Sequence, residues 1–270
     1  MSAALREIAP AKLNLALHVR GKLPDGRHSI ETLFAFCTDG DVLTFERSSV
    51  DRTSVRSSGP FGARIGPGNL VSAAWWAMKE AAGLEGGGEF VLEKNLPVSA
   101  GLGGGSADAA AALRLITSAF SLDPAIAERV APQLGSDVPA CLLSLPMLGE
   151  GAGDRLTPVD LSELSGLPVL LINPRVPLLT AEVFEHWDGL DRGPLHSWRE
   201  GRNDLELPAK ALVPQVETAL SWLGTRPGAI FTRMSGSGAT CFAMFNREEA
   251  RDEASEQVPR EWWHLATYLR

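Results

Sequence analysis

The chain has 270 residues, of which 44% are hydrophobic and 21% charged, so it carries enough apolar material for one large or two small packed domains and too much for a disordered chain. Its net charge of −8 at pH 7 excludes the basic footprint that sequence-independent nucleic-acid binding requires. No apolar stretch approaches the roughly 18 residues of a membrane helix, so neither nucleic acid nor membrane is expected as a partner.

The opening segment, MSAALREIAP, lacks the apolar core of a signal peptide. Residues 8–20 then alternate, with Leu13, Leu15, Leu17 and Val19 on one side and Lys12, Asn14, Ala16 and His18 on the other. This predicts a half-buried strand with polar groups on its second face. Pro24-Asp25-Gly26 is a turn signal. Residues 29–47 read as two further strands separated at Asp39-Gly40-Asp41, and 48–68, rich in Ser, Gly, Arg and Pro, as irregular. A helix is predicted from Asn69 to Ala82, a short strand over Glu89–Glu93, a helix from about Ala107 to Phe120, another over Ala125–Leu134, and one starting near Asp137, since Pro139 is tolerated in a first turn.

Gly149 to Pro158 is glycine-rich and polar and reads as an interlobe connection. It divides the chain into residues 1–155 and 156–270. Beyond it come a strand over Pro168–Asn173, helices over Thr180–Trp187 and Pro208–Leu223, and strands over Ile230–Met234 and Thr240–Phe245. A helix over Glu248–Gln257 and a last strand close the pattern. Helices and strands interleaved in both halves predict an α+β or α/β protein of two lobes. The three cysteines, Cys37, Cys141 and Cys241, lie far apart inside apolar runs without a CxxC pair, which points to reduced, buried thiols and a cytoplasmic protein. The pairs Trp75-Trp76 and Trp262-Trp263 read as packing residues.

The strongest local signal is the run Pro97, Val98, Ser99, Ala100, Gly101, Leu102, Gly103, Gly104, Gly105, Ser106, Ala107, directly before a helix. Four glycines in five residues let the backbone approach a ligand and turn its N–H groups inward. The helix behind them adds unpaired donors and the positive end of its dipole. Such a loop suits phosphate. It is not a Walker A loop, because no Gly-Lys-Ser/Thr follows, and it lacks the last glycine of a dinucleotide fingerprint. Neither His-Arg-Asp nor Asp-Phe-Gly occurs, which speaks against a protein kinase. Two readings of Ser106 stand: a cap for the helix, or a ligand of phosphate-bound Mg²⁺. Taken singly, Lys12 reads as a surface lysine and Asp137, in Gly135-Ser136-Asp137-Val138-Pro139-Ala140, as a helix cap.

In order along the chain stand Pro10-Ala11-Lys12-Leu13-Asn14-Leu15, the loop 97–111, Asp137-Val138-Pro139 and Met234-Ser235-Gly236-Ser237-Gly238-Ala239-Thr240. Together they resemble the three signature regions of the GHMP kinase superfamily. Three further pieces narrow the resemblance: Asp25-Gly26-Arg27-His28 followed by Glu31-Thr32-Leu33-Phe34, then Asn69-Leu70, and Asn203-Asp204-Leu205-Glu206. With them, nearly the whole chain is similar to the GHMP kinases that phosphorylate 4-diphosphocytidyl-2-C-methyl-D-erythritol.

The resemblance implies an N-terminal lobe like ribosomal protein S5 and a ferredoxin-like C-terminal lobe, with the site in the cleft between them. It implies ATP with Mg²⁺ as co-substrate and no tightly held cofactor. It makes Lys12 and Asp137 the catalytic pair, Asp137 accepting the proton of the 2-hydroxyl and Lys12 stabilising the transferred phosphoryl group. Residues 97–107 would bind the ATP phosphates, with Asn69 and Lys94 beside the nucleoside. Asn14 would hold the substrate, His28 would pair with its cytosine, Phe184 would stack on the ring, and Thr180 would face the same cleft. Gly236 and Ser237 belong to a second glycine-rich wall. The family commonly has Tyr directly before the histidine, where this chain has Arg27. A guanidinium can stack on a ring or pair with a diphosphate, and both roles are open to it. A homoserine or mevalonate kinase is the competing enzyme, opposed by Asp25-Gly26-Arg27-His28. A non-catalytic binding protein on the same scaffold is opposed by the retention of both Lys12 and Asp137.

Overall fold

The computed structural model describes residues 4–270; Met1 to Ala3, the start of the segment read above against a signal peptide, lie outside the described residues. The chain forms two compact units, each built from separated stretches of sequence. Strands β1 (Leu5–Lys22) and β2 (His28–Ser48) contribute to both, since the first unit takes the chain to Ala11 and resumes at Asp39, while Lys12–Thr38 belongs to the second.

The first unit also contains Asp39–Val98 and Gly103–Ser144. In it, residues 42–48 of β2 pair antiparallel with β4 (Gly87–Glu93), and β4 pairs parallel with β3 (Thr53–Ser58). Helix α1 (Leu70–Ala82) starts at Asn69, whose side chain accepts from Ser72 N–H (3.1 Å), and stops at Gly83 in the left-handed region (φ 62°). Helices α2 (Gly104–Ala119), α3 (Pro124–Leu134) and α4 (Val138–Leu143) follow. Phe45 stacks on Phe90 (4.4 Å), and Trp75 and Phe120 close the aromatic core. Ala107, Ala109, Ala110, Ala111 and Ala112 of α2 are fully buried, as are Leu113 and Ile116, so this apolar helix is covered on nearly its whole circumference.

The second unit adds Ser99–Leu102 and Leu145–Arg270. Residues 30–34 of β2 pair with β5 (Met147–Gly151), which forms a hairpin with β6 (Arg155–Pro158). Then come β7 (Pro168–Asn173), α5 (Thr180–Glu185), α6 (Glu206–Leu212), α7 (Gln215–Gly224), β8 (Ala229–Met234), β9 (Cys241–Phe245), α8 (Glu248–Glu256) and β10 (Trp263–Tyr268). The last four strands form one antiparallel sheet in the order β10-β7-β9-β8. With helices between β7 and β8 and between β9 and β10, this is the ferredoxin-like βαββαβ arrangement expected of the C-terminal half. Leu170, Ile172, Cys241, Ala243 and Phe245 of the sheet pack on Val216, Leu220 and Leu223 of α7 and on Leu17 and Val19 of β1.

Several local expectations change. From Ala9 to Val19 strand β1 is buried on both faces: Lys12 is 4% exposed, and Asn14, Ala16 and His18 are buried too. Residues 29–47 form one strand, not two. At the expected break Gly40 approaches the Ala9 backbone so closely that a Cβ would collide, and the Asp41 carboxylate turns inward to accept from Asn95 N–H (2.6 Å) and Leu96 N–H (2.8 Å). The stretch read as irregular contains β3, a mostly exposed edge strand with little apolar signal. Gly149–Pro158 folds as the β5–β6 hairpin, turning at Gly151 (φ 67°) and Gly153 (φ 86°), rather than as an open connection. The helix expected over Pro208–Leu223 divides at Val213-Pro214 into α6 and α7, as a proline lacking an N–H and crowding the preceding residue requires. Trp75 is buried, but Trp76 is 59% exposed, with the Lys79 ammonium over its ring, and is not a core residue. Cys37, Cys141 and Cys241 are buried, and no helix among the described residues is long and apolar enough to cross a membrane.

Candidate active site

In the second unit, three distant pieces of sequence meet. Lys12 Nζ donates to Asn14 Oδ1 (3.1 Å) and sits 4.9 Å from the centroid of the Phe34 ring. Asn14 in turn donates from Nδ2 to the Thr32 hydroxyl (2.7 Å), which donates to Ala16 O (2.7 Å). The amide is thereby locked with its oxygen toward the lysine. The Ser235 hydroxyl accepts from Asn14 N–H (3.2 Å) and donates to Gly101 O (2.9 Å), and Lys12 N–H donates to Leu102 O (3.0 Å). Residues 99–102 of the first glycine loop are thus stitched to the first strand on one side and to the second glycine loop on the other.

Glycine is required at this meeting. Gly101 (φ 76°) lies so close to Ser235 that a Cβ would strike its carbonyl oxygen, and a Cβ on Gly236 (φ 57°) would stand 3.1 Å from Gly101 O and 3.3 Å from Asn14 Oδ1. Asn203 braces the second loop by donating to Met234 O (2.8 Å) and Gly236 O (2.8 Å). The hydroxyls of Thr180 and Ser237 share a hydrogen bond (2.8 Å).

His28 and Phe184, to which the resemblance assigned the cytosine, also meet in this unit. His28 stacks on Phe184, centroids 4.6 Å apart and planes at 23°. Burial, aided by the charge of Lys22, lowers the pKa of His28 below its ordinary 6.5, which keeps the imidazole neutral near pH 7. Arg27 is not part of the ring cluster. It is exposed, its Nε donates to Asp25 (2.8 Å) and its Nη1 reaches Asp154 (3.4 Å).

In the first unit, helix α2 begins at Gly104, three residues before the expected Ala107, and its cap position is Gly103 in the left-handed region (φ 63°). Ser106 is therefore not the cap; it lies half-buried inside the first turn. Pro97 is buried, Val98 half-buried and Ser99 exposed, with Ser99 at a positive φ of 55°. Asn69 caps α1 and donates to Gly66 O (2.9 Å). Asp137 stands at the cap position of α4, but its side chain makes no capping bond, so the simple cap reading fails.

Lys94 is 2% exposed, and its ammonium is held between Asp41 and Asp108 (2.6 Å to Asp108 Oδ2). A Cβ on Gly104 would lie 3.0 Å from Lys94 Nζ, so this ion cluster packs directly under the start of α2. Burial opposes the lysine's charge, but Asp108 and Asp41 outweigh it and hold its pKa above the ordinary value. Burial raises the Asp108 carboxyl, to about 7, against the opposing pull of Lys94. Asp108 Oδ1 is buried without a hydrogen-bond partner. Two buried acidic side chains thus share the single ammonium of Lys94. Sequence reasoning gave no site role to Asp41 or Asp108, and placed Ser235 and Asn203 in signature segments without a role for either side chain. For the ion cluster the available signal was Asp108 itself, a lone carboxylate inside the alanine run of α2.

Residues 69–144 match the family described as GHMP kinases N terminal domain, and residues 188–265 match GHMP kinases C terminal. Fold and glycine loops together define a GHMP kinase. A curated relative from Novosphingobium aromaticivorans, called 4-diphosphocytidyl-2-C-methyl-D-erythritol kinase, is 48% identical over 99% of this chain and 93% of its own length. A second of the same name, from Rhizorhabdus wittichii, is 45% identical over 98% and 94%. A crystal structure of 4-(cytidine 5'-diphospho)-2C-methyl-D-erythritol kinase superposes with a TM-score of 0.85 at 31% identity, covering 98% of this chain and 99% of that one. The chain belongs to the 4-diphosphocytidyl-2-C-methyl-D-erythritol kinase family. A homoserine kinase from Cytophaga hutchinsonii shares the fold at 17% identity (TM-score 0.72).

Proposed function

We infer that the protein transfers a phosphoryl group from ATP to the 2-hydroxyl of 4-diphosphocytidyl-2-C-methyl-D-erythritol, yielding the 2-phosphate and ADP in the methylerythritol phosphate route to isoprenoids. The observation that carries this reading is the conjunction of near-full-length kinship to kinases of that name with the Lys12–Asn14–Ser235–Gly101 network. It holds an ammonium beside two glycine loops that meet where Gly101 and Gly236 leave no room for a side chain.

Phosphoryl transfer demands positioning and charge neutralisation more than covalent help. In our reading, Asp137 accepts the hydroxyl proton, Lys12 neutralises charge gathering on the phosphoryl oxygens, and Asn14 fixes the lysine and touches the substrate. The N–H groups of 97–107 hold the ATP phosphates. Mg²⁺ enters as the ATP complex, for which the half-buried Ser106 hydroxyl in the first turn of α2 suits a ligand. Asn69 and Lys94 stand by the nucleoside. His28 and Phe184 take the cytosine, Thr180, Gly236 and Ser237 line the rest of the substrate, and Arg27 takes the diphosphate. The halves divide near residue 155, and the enzyme works in the cytoplasm on small molecules alone.

The deciding experiment follows ADP release with the cytidyl substrate, homoserine and mevalonate in parallel. Turnover confined to the cytidyl compound is expected. Preference for either other alcohol, or ligand binding without ADP release, would overturn the assignment.

A further inference from the structure

Two histidines of this chain differ in a telling way. His18 is satisfied on both ring nitrogens: Nδ1 lies 3.1 Å from Gly193 O, and Nε2 accepts from Arg202 N–H (3.2 Å). His28 has a buried Nε2 with no hydrogen-bond partner, and beside it Trp187 has a buried Nε1 with none. The two rings meet edge to face, centroids 5.7 Å apart and planes at 87°. Buried polar atoms left unpaired are uncommon in native proteins and call for an explanation. Trp75 Nε1 is also unpaired, but it is surrounded by Phe45, Phe90 and Phe120. At His28 and Trp187 two unpaired ring nitrogens share one aromatic cluster.

The chain builds this cluster locally. Val183 anchors the end of α5 in the core, and Trp187 N–H donates to Phe184 O (3.2 Å), so one turn of backbone sets both rings. Phe184 covers one face of His28 while Trp187 meets the same ring at a right angle. Flat apolar walls with unpaired polar edges suit a nucleobase, which stacks on aromatic faces and offers hydrogen bonds only at its rim. An indole N–H donates and never accepts. Its complement is a carbonyl oxygen or an unprotonated ring nitrogen, and cytosine carries both, on adjacent atoms. The neutral imidazole can serve the remaining edge.

We propose that Trp187 is a base-binding, specificity-determining residue of this kinase, its indole N–H donating to an acceptor of the pyrimidine that His28 and Phe184 receive. The proposal rests on the functional reading above and extends it to a residue that the sequence did not single out.

Trp187→Phe keeps an aromatic ring against His28 and removes only the donor. With a neutral hydrogen bond lost, KM for the cytidyl substrate and Kd for CDP should each rise about 3- to 10-fold, with kcat and KM for ATP unchanged. A purely structural role would instead lower Tm and move kcat and both KM values together. If the variant does not fold, the ¹⁵N-labelled wild type decides. On addition of CDP, the indole N–H signal showing a nuclear Overhauser contact to the His28 ring should move downfield, and ADP should leave it in place. A wild type that turns over the cytidyl substrate while the variant keeps its KM, or an indole signal indifferent to CDP, overturns the role of Trp187 and leaves the kinase reading intact. A wild type that neither turns over that substrate nor binds CDP overturns both.

Discussion

Lys12 and Asp137 show how much a side chain's neighbours matter. Each has a bland reading when taken alone, and each loses it in the structure: the lysine is buried against Asn14, and the aspartate occupies a cap position without capping. Asp137→Ala should lower kcat by at least ~10²-fold, the scale of a lost general base, with KM for ATP little changed; steady-state kinetics with both substrates measures it, and near-wild-type turnover would refute the role. Arg27 has a different test. Its ion pairs with Asp25 and Asp154 are exposed and screened by solvent, so they add little to stability. Arg27→Ala should therefore leave Tm nearly unchanged while KM for the cytidyl substrate rises several-fold, as loss of a charged contact to a diphosphate would require. An unchanged KM would make Arg27 a bystander. The types of the site residues were legible because Lys, Asp, His and clustered glycine carry chemistry in their names. Ser235 and Asn203 stood in signature segments, but their bracing role was not legible, because a serine or asparagine has meaning only through what it bonds.

Elements were legible where local chemistry decides them. Helix α1 has its asparagine cap and its glycine stop in the sequence, and the structure uses both. Pro214 carried the break between α6 and α7, but a Pro208–Leu223 window with continuous apolar periodicity concealed it. Strand β3 was missed because an exposed edge strand has no apolar face to announce it. The glycine loop was recognised as a loop for phosphate, yet the reason for Gly101 lies elsewhere in the chain, at the Ser235 carbonyl. Gly101→Ala places a Cβ against that oxygen and forces alanine into the left-handed region. Strain of this kind costs about 1–3 kcal/mol. Thermal unfolding should show Tm lowered by several degrees, and KM for ATP should rise as the loop backs away from the second glycine wall. Wild-type values of both would remove that contact from the account.

At the scale of the molecule, the Asp41–Lys94–Asp108 trio links stability to pH. The pKa of Asp108 stands at about 7 in the folded protein against an ordinary 3.8, so the folded state holds this proton more tightly than the unfolded one. The contribution is complete below the unfolded value and is lost as pH rises through the folded one. Wild-type Tm should therefore carry a component that falls between about pH 4 and pH 7. Asp108→Asn, which keeps the shape and cannot titrate, should flatten that component; parallel Tm–pH profiles with an unchanged slope would exclude Asp108 as its source. Burial, with the neighbouring Asp41, raises the Asp108 carboxyl more than the one ammonium of Lys94 lowers it.

What the sequence by itself determined is everything that depends on neighbours along the chain: caps, turns, the glycine loops, most helices and strands, and the ordered signatures that place the protein among the GHMP kinases. Tertiary structure alone decided that β1 is buried on both faces from Ala9 to Val19, which carboxylates hold Lys94, and that the glycine at 101 answers to a carbonyl at 235. The reason is physical. Periodicity and turn chemistry act over a few residues, whereas burial and the satisfaction of polar groups are settled only when segments more than a hundred residues apart occupy the same space.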